Sequence, residues 1–287
     1  MRRVFVRQFE REDIGFAHKM TSTEQWNVTR NDIARMLDFE PEGCFIADVG
    51  GEPAGHVFSI TYGTLGWIGL LIVGSKHRRK GIGTVLMEKA LSHLQGRKVE
   101  TVELDAVPEI ADLYRNVGFA YEFDSLRLMG ASQKLQPSKS SSVKSIEREM
   151  TDDIARFDAE YFGGYRGRVL NRLFSENPEL SFVSQSDSHI IGYITCRKAE
   201  NGYVLGPWVC RTGQRRNAEE LFATCTGKLE LNSKIHVGVP SPNTTAICIL
   251  RNHGFVQSYK SIRMRFGNKL VTERPDGIFA IAGAMKG

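Results

Sequence analysis

Cysteine is scarce in this 287-residue sequence, and none of the five (Cys44, Cys196, Cys210, Cys225, Cys248) stands in a C-x-x-C pair. So odd and scattered a set suggests neither a zinc site nor a disulfide framework, and the thiols are expected to be reduced and mostly buried. No metal is expected. Also missing is any run of about 18 or more apolar residues. The opening MRRVFVRQFERED carries charge where a secretion signal would need an apolar stretch. The expectation is a cytoplasmic protein with no membrane partner. A large charge of one sign is lacking as well. Residues 1–136 hold 17 basic against 18 acidic side chains, and residues 137–287 hold 21 against 15, for a net +5. The basic half has no aromatic residues interleaved in the manner of a base-stacking surface, so nucleic acid is not indicated as a partner.

What is present is enough apolar residue, 41%, to bury a core, and a length that suits two domains better than one. The serine-rich, aperiodic stretch QPSKSSSVKS (136–145) reads as a connector near the middle. On either side the same order of signals recurs. Before it come VFVRQF, a helical region with an N-cap at Thr29 (TRNDIARMLDF), and three strands, CFIADV, HVFSITYG and WIGLLIVG. After it come SIEREM, TDDIARFDAEYF, LSFVSQSD, HIIGYITC and YVLGPWVC. Each half then gives helix, short strand, helix and a final strand, and VELDAVPEIADLYRNVGF lines up with IHVGVPSPNTTAICILRNHGF. The pattern predicts duplication of one α/β (α+β) unit, each a mixed, mostly antiparallel sheet flanked by helices. The domains are expected at 1–135 and 146–287.

One junction carries a chemical signal. HRRKGIG (77–83) falls between the strand WIGLLIVG and an apolar-periodic helix. The first turn of a helix offers unpaired N–H groups and a positive dipole end. Gly81 and Gly83 would let an anion approach the backbone, and Arg78, Arg79 and Lys80 add charge.

Arg78-x-x-Gly81-x-Gly83, with Val73 at the end of the preceding strand and Thr84 opening the helix, resembles the acyl-CoA signature of the GNAT superfamily of N-acetyltransferases. The resemblance implies that Leu71, Ile72 and Val73 line the pantetheine and thioester of acetyl-CoA. It implies that Arg78, Arg79, Lys80, Gly81, Ile82, Gly83 and Thr84 hold the pyrophosphate, and that a backbone N–H near Val73 stabilises the oxyanion. A second stretch, AxLYRNVGF around Ala111, Tyr114, Gly118 and Phe119, resembles the family's later motif, in which Tyr114 would protonate the departing thiolate. The chemistry agrees, because a phenol of pKa about 10 is still protonated at neutral pH and a thiol titrates near 8.5.

This half also departs from the family pattern. Pro108 stands where an asparagine often binds pantetheine, and WIGLLIVG has no acid to accept the amine's proton. Two carboxylates are candidates for that task. Asp105 ends the strand beside Tyr114, although it could equally cap the next helix. Glu24 lies in TSTEQWN, where the family's substrate-facing loop sits, with Trp26 beside it. His56, on an alternating strand, reads as a packed or exposed residue.

In the second half, aligning CRTGQRRNAEEL on VGSKHRRKGIGT puts Ala218 at Gly81, Glu220 at Gly83 and Leu250 at Tyr114, while Asn243 keeps the asparagine. A carboxylate at that helix start would repel a phosphate. This half is similar to the YitH-like GNAT domain of tandem acetyltransferases and is expected to bind no CoA. Its expected roles are part of the acceptor site or a homodimer contact. The function implied is transfer of an acetyl group from acetyl-CoA to a primary amine by direct attack in a ternary complex. The rival reading is a non-catalytic acyl-CoA sensor or scaffold.

Overall fold

The computed structural model describes residues 4–136, 142–187, 189–269 and 273–287. The first half runs β1 (Val4–Gln8), α1 (Ile14–Thr23), α2 (Arg30–Phe39), β2 (Cys44–Val49), β3 (Glu52–Tyr62), β4 (Leu65–Val73), α3 (Ile82–Gly96), β5 (Thr101–Ala106), α4 (Ala111–Val117) and β6 (Ala120–Ala131). The second repeats that order as β7 (Val143–Ser145), α5 (Thr151–Phe162), α6 (Gly167–Glu176), β8 (Ser181–Ser186), β9 (His189–Lys198), β10 (Tyr203–Cys210), α7 (Arg215–Gly227), β11 (Lys234–Pro240), α8 (Thr244–Asn252) and β12 (Val256–Gly267), and then adds a short β13 (Ile278–Ala280). Of the expected connector 136–145, residues 137–141 lie outside the described residues, and Val143–Ser145 form β7, antiparallel to β8.

Local chemistry explains several boundaries. Thr29 caps α2: its hydroxyl accepts from Asp32 N–H at 3.0 Å, and the Asp32 carboxylate accepts from Thr29 N–H at 3.1 Å. This reciprocal box satisfies two donors that a helix start would otherwise leave unpaired. α3 buries Ile82, Leu86, Met87, Ala90, Leu91 and Leu94, a helical-period stripe that it lays on β2, β3 and β4. Gly66 on β4 lets it come close, since a Cβ there would stand 2.9 Å from Val99 and 3.1 Å from Leu94.

The chain divides into two compact units, and neither is one stretch of sequence. The first is Met1–Tyr121 with Met264–Lys269 and Ala284–Lys286, and the second is Glu122–Arg263 with Leu270–Gly283 and Gly287. In the first, β1 to β5 lie side by side in sequence order, antiparallel up to β4 and parallel from β4 to β5, and β12 follows on the far side of β5. In the second, the order is β6-β11-β10-β9-β8-β7, again antiparallel except for the parallel β10–β11 pair. Each half's closing strand thus runs on beyond its own half. Most of β6 pairs with β11, and the end of β12 passes beside β5, where Thr101 Oγ1 donates to Asn268 O at 2.6 Å. Among the described residues no helix is long and apolar enough to cross a membrane, and no group of three or more potential metal ligands comes together. All five cysteines are free, four of them buried, and Cys248 is exposed.

Candidate active site

The parallel β4–β5 ladder covers three pairs, from Leu65–Thr101 to Trp67–Glu103, and then the strands part company. β4 continues through a bulge. Its register against β3 shifts between His56–Ile72 and Phe58–Gly69, and Leu70 takes a left-handed φ of +50° to make the turn. A β-bulge bends its strand and re-aims the backbone that follows. The consequence is a wedge between Leu71–Val73 on one side and Leu104–Ala106 on the other. Leu71, Ile72 and Val73, expected along the pantetheine, all lie on this re-aimed segment.

Beyond Val73 the chain makes a turn over Ser75–His77 and enters α3 at Gly81, whose φ of +80° is one that L side chains rarely adopt. No side chain caps this helix. Its first internal bond is Val85 N–H to Gly81 O, 3.1 Å, so the N–H groups of Ile82, Gly83 and Thr84 precede the ladder and stand at the positive end of the dipole. A Cβ on Gly83 would meet Leu113 at 3.4 Å, which is ordinary contact.

The three cations of the loop are differently employed. Lys80 Nζ donates to Lys76 O at 2.8 Å. Arg78 Nε donates to Val73 O at 2.9 Å, while its outer nitrogen is paired with Glu24. Arg79, exposed and with a φ of +59°, has no ion-pair partner among the described residues.

Tyr114 stands on α4 and is buried, edge-on to Phe119 with ring centroids 6.1 Å apart. Burial pushes its phenol well above the usual range, so it holds its proton throughout the physiological pH range. Asp105 is half-buried near the end of β5, beyond the β4–β5 ladder. It caps no helix. The turn over Pro108–Ile110 intervenes, and Val107 and Ile110 hold the two cap positions. Glu24, expected to face the acceptor, is joined to the anion loop through Arg78. His56 is fully buried among Phe9, Phe16 and Phe58.

One feature escaped sequence reasoning. The segment Ala284–Lys286 belongs to this unit and runs along β3 and β4. Trp67 Nε1 donates to Ala284 O at 3.0 Å, and Tyr62 Oη donates to Lys286 O at 2.9 Å. Gly69, just before the bulge, is where the tail presses closest, since a Cβ there would lie 2.6 Å from Met285 Cα. Two glycines on an otherwise bulky strand, Gly66 under α3 and Gly69 under the tail, were the available signal.

The second unit repeats the wedge and closes it. Its β10–β11 ladder is also three pairs long, from Tyr203–Ile235 to Leu205–Val237, and β10 has its own register shift before Trp208. Here β13 enters the gap. It runs antiparallel to β10 with Trp208 opposite Ala280 and Val209 opposite Ile278, and Ile281 N–H then donates to Gly238 O of β11 at 2.9 Å. The helix start also differs from the sequence alignment. Matching the buried residues Leu86, Met87, Ala90, Leu91 and Leu94 to Leu221, Phe222, Cys225, Thr226 and Leu229 sets Ala218 opposite Gly83, not Gly81. The second loop is therefore two residues shorter than expected, and Glu220 does not stand in for a glycine. It pairs instead with Arg216 at 3.2 Å, as Glu219 does with Arg215 at 2.9 Å. Asn243 caps α8, its Oδ1 accepting from Ala246 N–H at 2.9 Å.

Comparison with known proteins agrees with this geometry. Residues 9–119 match the profile of the acetyltransferase (GNAT) family, and residues 154–280 match that of an acetyltransferase (GNAT) domain. A holothin acyltransferase of Pseudoalteromonas is 26% identical over 259 residues, covering 90% of this chain and 86% of that protein. An uncharacterized N-acetyltransferase of Bacillus subtilis, YitH, is 24% identical over 215 residues, 72% of each chain. The crystal structure of a putative acetyltransferase from Pyrococcus horikoshii superposes with a TM-score of 0.82 at 23% identity, covering 99% of this chain and 96% of that one, a likeness of fold.

Proposed function

We propose that this chain, which belongs to the GNAT acetyltransferase superfamily through both of its halves, transfers an acetyl group from acetyl-CoA to a primary amine at the wedge of its first unit. The observation that carries the reading is the difference between the two wedges. In the second unit an extended strand, β13, lies between the diverging strands and bonds to both. An extended chain with amide groups is thus what such a wedge accommodates, and pantetheine is one. The first unit keeps beside its wedge the Gly81–Thr84 helix start and the cationic loop that a diphosphate needs.

In this reading Leu71–Val73 align the pantetheine, and the Ile82, Gly83 and Thr84 amides with Arg78, Arg79 and Lys80 hold the pyrophosphate. The amine attacks the thioester carbonyl directly. A backbone N–H near Val73 takes the oxyanion, and Tyr114 delivers its proton to the sulfur as the C–S bond breaks. An attacking amine must be neutral, so a carboxylate, Asp105 or Glu24, removes its proton. From the holothin acyltransferase we carry over the reaction, not the acceptor. The lack of an acid on β4 favours a second reading, acyl-CoA binding without turnover.

Calorimetric titration with acetyl-CoA tests the proposal. One site per chain is expected, weakened at least about 100-fold in Gly83→Glu, whose carboxylate occupies the phosphate's place in the first turn. Two sites would show that β13 does not close the second wedge, and no binding would overturn the proposal. Binding with no CoA release over a panel of amines would select the second reading.

A further inference from the structure

Arg78 joins three parts of the first unit. Its Nε donates to Val73 O at 2.9 Å, at the end of the wedge strand, and its backbone opens the anion loop. Its outer nitrogen reaches Glu24, 54 residues earlier in the chain. Glu24 is held in place by the way α1 ends. Its N–H donates to Met20 O at 3.2 Å, Gln25 N–H donates to Ser22 O at 3.0 Å, and Gln25 takes a φ of +56° that turns the chain out of the helix. Trp26 N–H then returns to Thr21 O at 2.9 Å. A carboxylate at the C-terminus of a helix stands at the unfavourable end of the dipole, and a cation beside it offsets that cost. Arg78 is that cation.

A diphosphate that approaches Arg78 meets a guanidinium whose charge is already paired with Glu24, and the carboxylate and the diphosphate repel each other. We infer that the Glu24–Arg78 ion pair is a latch between the α1–α2 turn and the anion loop, opened when the diphosphate of acyl-CoA takes the outer nitrogen of Arg78 from Glu24. The inference rests on the acyltransferase reading above. Nε stays on Val73 O, so the strand end and the loop remain connected while the carboxylate is released. Three consequences follow in order. Before acyl-CoA binds, Glu24 is neutralised and the turn carrying Trp26 is tied to the loop. After it binds, the carboxylate is set free on the α1–α2 turn, where it attracts an ammonium acceptor and can take its proton. Acyl-CoA that binds first therefore favours the acceptor.

The experiment compares the wild-type protein with Glu24→Gln, using acetyl-CoA as the titrant. Removing the competitor for Arg78 is expected to tighten binding about 2- to 5-fold, the equivalent of an exposed ion pair. A second readout is acrylamide quenching of tryptophan fluorescence. Trp67 and Trp208 are fully buried, so Trp26 is the accessible reporter of the three. Quenching is expected to rise when acetyl-CoA is added to the wild type, and to be high already in Glu24→Gln without it. Equal or weaker affinity in the variant, with wild-type quenching unmoved by acetyl-CoA, overturns the latch and leaves the acyltransferase reading standing. A wild type that binds no acetyl-CoA overturns both.

Discussion

The two units carry the same elements in the same order, and they differ at the places where chemistry would occur. Both have a three-pair parallel ladder that opens into a wedge, but in the second the wedge receives β13. Both have a helix after the wedge strand, but in the second the approach is two residues shorter and i,i+4 ion pairs employ Arg215 and Arg216. The buried stripes of α3 and α7 match from Leu86 and Leu221 onward, whereas the loops before them do not. Apolar periodicity is sufficient to keep a fold, since a core tolerates exchange of residues of similar volume. An anion loop depends on particular backbone angles, and the shorter loop sets Gln214, with a φ of −95°, at the start of α7 where α3 has Gly81 at +80°.

The comparison is broken most severely at the tyrosine position, where the first unit has Tyr114 and the second has the buried Leu250. Tyr114→Phe is expected to lower kcat by 10²- to 10⁴-fold, as for loss of a general acid, with acetyl-CoA affinity unchanged. Steady-state rates together with calorimetry check this. Comparable turnover in the variant would remove Tyr114 from the mechanism.

A second contrast concerns what each unit buries beside its wedge strand. In the first, His56 sits opposite Ile72. In the second, Tyr193 holds the corresponding place opposite Val209. Tyr193 Oη donates to Asp158 at 2.6 Å, and Arg166 meets the same carboxylate at 2.7 and 2.9 Å, all three side chains fully buried. Arg166 also donates to Gly287 O at 2.9 Å. Removing one partner of a buried ion pair strands the other charge. Arg166→Ala is therefore expected to destabilise the protein by about 3–5 kcal/mol, read as a lowered urea midpoint. A shift under about 1 kcal/mol would mean that water reaches the site and compensates Asp158.

Much of this was legible in the residues. The glycines of HRRKGIG, the Thr29 cap and the repeated order of elements are local signals, and local geometry follows from them. What was not legible depends on partners far apart in the chain. TSTEQWN gave no sign that Glu24 would meet Arg78, and PDGIFAIAGAMKG gave no sign that its Ile278–Ala280 would lie between β10 and β11. The placement of Ala218 failed for a related reason. A gap between a strand and a helix leaves no mark on either, and only the buried face of α7 reveals where it falls.

The smallest expected effect sharpens the contrast between His56 and Tyr193. Enclosure by Phe9, Phe16 and Phe58 pushes the His56 imidazole down to about 4, chiefly because burial disfavours its charged form, with the Leu70 backbone opposing. The unfolded chain titrates near 6.5. Between these values the unfolded state binds the extra proton, so stability is complete above about pH 6.5 and declines as the pH falls towards 4, by up to roughly 3 kcal/mol. Tyr193 has the opposite behaviour. Burial and the neighbouring Asp158 push its phenol upward, so it carries no charge change in this acid window. His56→Phe is therefore expected to flatten the acid limb of stability, whatever it costs at neutral pH. Urea midpoints at pH 4.5 and 7.5 measure the difference: a wild-type shift that the variant lacks places the acid sensitivity in the first unit, and the same shift in both proteins places it elsewhere.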